Sequence, residues 1–149
     1  MADSYFFTPA ILGSNQALAT SLADISGFSQ TVTPGATYRF TVLMNFTTVG
    51  TTVTVGLSMG GTLTESLSAY EVNIQTAAAG TRTSQLYTAI PGAATATGAI
   101  ATAGTYAATI RGFVKCNTAG GTLTVQGIRG GSTSATALSG SIFMLEQVA

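Results

Sequence analysis

Five carboxylates, Asp3, Asp24, Glu65, Glu71 and Glu146, are the side chains of this 149-residue sequence with the most direct claim to acid–base chemistry. A glycoside-cleaving site needs two carboxyl groups about 5–10 Å apart across a cleft, one to protonate the leaving group and one to attack or to activate water. Glu65 and Glu71 are the near neighbours in the chain, but no cluster of sugar-stacking aromatics flanks them, and solvated strand ends are expected. Lys115 would activate a serine only if it were desolvated; it alternates with Arg111 on an outward parity, which places its charge in solvent or at an interface. The chain has no histidine and a single cysteine, Cys116, so it lacks the Ser-His-Asp and Cys-His arrangements and the usual zinc ligand sets. The alternating apolar neighbours of Cys116 suit a small buried hydrophobe. Gly56 to Gly61 and Gly127 to Gly131 are glycine-rich but lack the phosphate-loop lysine, and turns or bulges are expected there. The expectation is a protein with no catalytic residue, no cofactor and no metal.

Composition explains what such a chain has instead. Only 7% of residues are charged, where a soluble domain averages about a quarter, so hydroxyls, backbone or another protein chain must cover the surface. Five basic and five acidic residues cancel, which leaves no electrostatic footprint for nucleic acid. No apolar run reaches the roughly 18 residues of a membrane span, and Met1-Ala2-Asp3-Ser4 carries no positive leader, so a cytosolic product is expected. The length fits one domain over residues 1–149, with residues 1–21 an N-terminal arm or an edge strand. The aromatic run Tyr5-Phe6-Phe7 is expected to anchor on the core or on a neighbouring subunit.

Residue periodicity sets the elements that hold these side chains. Tyr38, Phe40, Val42, Met44 and Phe46 share one parity, opposed by Arg39, Thr41 and Asn45, which is the two-residue period of a strand. The same alternation runs through Val53–Met59, Tyr70–Ile74 and Tyr106–Cys116, and a further strand over Thr122–Ile128 follows almost at once. Thr33-Pro34-Gly35-Ala36 reverses the chain between Ile25–Val32 and Thr37–Phe46, since proline presets φ and glycine permits the left-handed region. Ser14–Leu22 suits a short helix or a strand equally. About eight strands with no strong helical stripe define an all-β fold, an antiparallel β-sandwich of jelly-roll-like form.

The glycine pair Gly120-Gly121 reads as a two-residue hairpin turn. In that register Cys116 faces Val125 inside, Phe113 faces Ile128 outside, and Gly112 opposes Arg129. Leu43 also falls on the outward parity. Two readings of Leu43, Phe113 and Ile128 stand: they contact other subunits, or a bulge or longer turn shifts the register and takes them into the core.

Several stretches resemble a β-sandwich module of tailed-bacteriophage virion proteins. Leu22-Ala-Asp-Ile-Ser-Gly-Phe28 and Thr33-Pro-Gly-Ala-Thr-Tyr-Arg-Phe40 are similar to its opening. Gly104-Thr-Tyr, Ile110-Arg-Gly-Phe-Val114, Gly121-Thr-Leu-Thr-Val-Gln126 and Gly140-Ser-Ile-Phe-Met-Leu-Glu146 are similar to its closing strands, while Gly60 to Ala103 has no matching segment. The resemblance implies a noncatalytic virion structural role, as a capsid decoration or cement protein assembled in the bacterial host cytoplasm. The expected partners are its own copies, as a homotrimer, and the major capsid protein or other virion proteins. The alternative is a tail or fibre component whose loops around 47–52, 80–103 and 130–139 bind a host surface receptor.

Overall fold

The computed structural model describes residues 9–77, 80–94, 97, 99–100 and 102–149. These residues form eleven strands and no helix: β1 (Ala10–Ile11), β2 (Gln16–Ala17), β3 (Ala23–Val32), β4 (Thr37–Thr48), β5 (Thr54–Gly60), β6 (Glu65–Gln75), β7 (Arg82–Tyr87), β8 (Gly104–Cys116), β9 (Gly121–Gly130), β10 (Ala135–Ala137) and β11 (Ile142–Gln147). Eight of them have six or more residues, and the other three are short edge pieces. All pair antiparallel, in two sheets packed as a sandwich. The larger, sheet A, has the order β1-β11-β4-β8-β6-β7, with β10 pairing both β4 and β2; the smaller, sheet B, has the order β3-β9-β5.

Alternation along each strand builds the core. Tyr38, Phe40, Val42, Met44 and Phe46 of β4 are buried, as are Tyr106, Ala108, Ile110, Val114 and Cys116 of β8. Phe28, Val32, Leu123, Val125, Val55, Leu57 and Met59 close over them from sheet B. Phe28 meets Phe143 of β11 edge-on at 6.0 Å between ring centroids. Two polar contacts also cross between the sheets: Gln30 Nε2 donates to the Phe143 carbonyl at 3.3 Å, and the Met59 amide donates to the Tyr70 hydroxyl at 3.2 Å.

The turns work differently from the expected hairpins. β8 and β9 lie in different sheets and do not pair. Both edges of β8 are already taken, by β4 over twelve residue pairs on one side and by β6 on the other. The chain therefore has to leave for sheet B at 117–120. Cys116 is buried as expected, but its cross-strand neighbour is Glu65. Phe113 faces Arg39 and Ala69, Ile128 faces Gly56, and Arg129 faces Val55, so neither the Phe113–Ile128 pair nor the Gly112–Arg129 pair exists. Gly112 sits on the inward side between Phe40 and Tyr70, where an added Cβ would lie 2.3 Å from the Tyr70 Cβ and 2.4 Å from the Ala69 carbonyl oxygen. The glycine lets Tyr70 lean into the sheet and stack on Tyr87, with ring centroids 5.0 Å apart.

Thr33 to Ala36 does reverse the chain, with Gly35 at φ +73° and the Ala36 amide bonded to the Thr33 carbonyl. Proline second and a left-handed glycine third is the type II pattern, here joining β3 in sheet B to β4 in sheet A. Ser14–Leu22 resolves as a strand, β2, within irregular chain. The segment 80–103 is less of a loop than expected, since β7 lies inside it. Beyond β7, the amides of Gly92, Thr97 and Ile100 donate to the Met59, Val55 and Val53 carbonyls. The connection thus seals the outer edge of β5, a common protection for an exposed sheet edge.

Candidate functional site

The outward parity of sheet A makes one continuous surface whose rows follow from the strand register. One row reads Ile11, Ile142, Leu43, Thr109, Asn73, Ser84 across β1, β11, β4, β8, β6 and β7. The next reads Met144, Thr41, Arg111, Glu71, Leu86, and a third reads Glu146, Arg39, Phe113, Ala69. A last short row holds Thr37, Lys115 and Leu67. Five of the seven exposed large hydrophobic residues among the described ones belong to this face: Ile11, Leu43, Leu67, Leu86 and Phe113. Leu86, at 71% exposure, is the most open of them.

Charge lies on the same face. Arg39, Arg82, Arg111 and Lys115 oppose Glu71 and Glu146, an excess of two positive charges. Arg39 and Glu146 form an ion pair. Ser84 donates a 2.6 Å hydrogen bond to Glu71, and this bond, more than the nearby Arg111, holds the Glu71 carboxyl below its ordinary range. Shallow depressions interrupt the surface. One, of about 350 Å³, is lined by Arg39, Arg111, Met144 and Glu146 among others; another, of about 260 Å³, lies beside Leu43, Asn45, Gly140 and Ile142.

Of the six residues singled out as subunit contacts, Leu43 and Phe113 lie on this face, four positions apart in register and thus about 13 Å from one another. Ile128 is half-buried on the outer side of sheet B, at the opposite surface of the sandwich. Tyr5, Phe6 and Phe7 lie outside the described residues. Sequence reasoning missed Ile11, Leu67 and Leu86. Leu86 shares the outward parity of Ser84 and Arg82, but that strand is too polar on its inner side to stand out.

The residues weighed for chemistry are scattered. Glu71 is on the outer face of sheet A, whereas a bulge turns Glu65 towards Cys116 and the Ile90 amide, which donates to Glu65 Oε1 at 2.7 Å. Glu65 Oε2 is buried and has no hydrogen-bond partner among the described residues, so this carboxylate is not a solvated strand end. Lys115 is exposed. Burial raises the Cys116 thiol above its ordinary range, which suppresses the nucleophilic thiolate. Burial also pushes the Tyr70 phenol up to about 12, against the opposing hydrogen bond from the Met59 amide. Arg129 spends its guanidinium on the Leu18, Gly131 and Thr133 carbonyls, which staples the N-terminal segment and the β9–β10 connection to the end of the sandwich. Among the described residues, no group of three or more potential metal ligands comes together, and no helix is long and apolar enough to cross a membrane.

No family model matches the chain, and no curated protein matches it. Among solved structures, a chain in the structure of infectious bursal disease virus Gx strain overlaps it with a TM-score of 0.28 and 10% identity, covering 95% of this chain. The present chain spans 38% of the length of that one, and a likeness of this size carries no argument about function.

Proposed function

We propose that this chain is a noncatalytic structural subunit of a virion, a decoration or cement protein of a tailed-bacteriophage capsid, that works through contacts between folded subunits. The observation that carries the reading is the gathering of exposed hydrocarbon on the outer face of sheet A, beside the charges that would orient a partner. Exposed hydrocarbon concentrated on one face of a domain, interspersed with charge, suits contact with another protein. The phage assignment itself rests on the short sequence resemblances in the strands from Leu22 onward.

Copy number and location test the reading. Hundreds of copies on purified heads that lack tails, seen by cryo-microscopy with this fold placed in the density, are the expected result. A handful of copies confined to tail preparations would replace decoration with the receptor-binding alternative. Absence from every particle fraction would sink both.

A further inference from the structure

The outer edges of the two sheets are not equally protected. β1 and β2 are two residues long, and β3 is broken by a register shift between Asp24 and Ser29. β5 is sealed by the amides of Gly92, Thr97 and Ile100. β7 is different: six residues without proline or bulge end sheet A, and among the described residues no backbone bond reaches the outward amides and carbonyls of Arg82, Ser84 and Leu86. The Thr76 amide donates to the Thr81 carbonyl, which makes that pair hydrogen-bonded and fixes the alternation along the ladder. Thr83 and Gln85 therefore turn their backbone groups to β6, and Arg82, Ser84 and Leu86 present theirs to the open edge. Natural sheets rarely leave such an edge unblunted unless a strand pairs with it.

We propose that β7 pairs antiparallel with β7 of a second copy of this chain, with Ser84 on the two-fold axis. In that register Ser84 faces Ser84, and Arg82 faces Leu86 of the other copy. Three hydrogen-bonded residue pairs with two bonds each give about six interchain bonds. The outward parity is preserved, so the outer faces of the two A sheets become one surface. Charge favours a second copy over an unrelated strand. Arg82 has no ion-pair partner among the described residues, and in its own chain it lies in the row of Gln75, four positions from Glu71. Across the axis its row continues through Leu86 to Glu71 of the other copy, two strand spacings or about 10 Å away. An arginine side chain spans most of that distance, and the symmetry repeats the contact. This edge is distinct from the face assigned above, and the inference stands or falls without the virion reading.

The test uses the full chain with Cys116→Ala to remove the native thiol. Partners in a hydrogen-bonded pair have Cα atoms about 5.5 Å apart, within disulfide range. Ser84→Cys is therefore expected to form a disulfide-linked dimer on mild oxidation at least tenfold faster than Ser132→Cys in the exposed turn after β9. Leu86→Pro, which removes an edge amide that β6 does not use, is expected to weaken self-association at least tenfold by sedimentation, and Leu86→Ser to weaken it less. Equal cross-linking of the two cysteine variants overturns the pairing even if the proline variant fails to fold. So does a proline variant that folds and associates like its parent. A dimer lost equally in Leu86→Pro and Leu86→Ser, with no Ser84→Cys cross-link, points to the apolar face and also overturns the edge.

Discussion

The two outer surfaces of the sandwich are built from the same strand periodicity and end up with opposite characters. On sheet B the outward polar groups satisfy one another: Ser29 with Thr124 at 2.9 Å, Thr62 with Thr122 at 3.1 Å, and Gln126 with Asp24 at 2.7 Å. None of the exposed large hydrophobic residues among the described ones lies on that side. On sheet A the outward positions carry most of the charge and most of the exposed hydrocarbon. Threonine explains part of the contrast, since its branched Cβ suits a strand while its hydroxyl bonds a neighbour across the ladder. A chain this poor in charge has few means of staying soluble, and it concentrates them where its hydrocarbon also lies.

The sharpest way to break this contrast is to charge the two surfaces in turn. Leu43→Asp combined with Phe113→Asp is expected to weaken self-association by about 10³-fold, from about 2 kcal/mol at each of two contact positions. Thr31→Asp, exposed on the outer side of sheet B, is expected to change it by less than about twofold; sedimentation over a concentration series reads both. Equal effects would erase the distinction between the faces. A smaller effect concerns the end of the sandwich. Arg129→Met removes a guanidinium that bonds three carbonyls, and the fold should lose about 2–3 kcal/mol in denaturant unfolding with assembly unchanged. The smallest effect joins the interiors of the two sheets at Tyr70. Its folded pKa of about 12 lies above the unfolded value near 10, so the unfolded chain loses this proton first as pH rises. The associated stability is complete below pH 10 and disappears towards pH 12. Tyr70→Phe should flatten that part of the stability–pH curve, and a curve unchanged by the substitution would refute the assignment.

The period-two strands were legible because burial on one face leaves an alternating trace. β4 and β8 show it clearly: the inward residues are apolar, large throughout β4 and mostly so in β8, and the outward neighbours are mostly polar. β7 was not legible, because its inner positions are Thr83, Gln85 and Tyr87, and the strand is held by pairing with β6 more than by a hydrophobic stripe. Turn chemistry showed where the chain bends but not which sheet it enters. Gly120-Gly121 and Pro34-Gly35 both mark reversals, yet both connect strands in different sheets, since a turn's φ preferences do not record how many edges of the preceding strand are already occupied. That ambiguity moved Ile128 to the wrong surface. Leu43 and Phe113 came out on the same face because parity along each strand survives an error in pairing.

One feature of the sheet order bears on how the molecule is made. β11 is the last described strand in chain order, yet it lies between β1 and β4, so β1 joins sheet A only through it. Until β11 is in place, the edge of β4 from Tyr38 to Leu43 has no partner strand, whereas β10 covers Phe46 to Thr48. Loss of β11 would leave β1 without a partner in the sheet, while β2 would keep its pairing with β10.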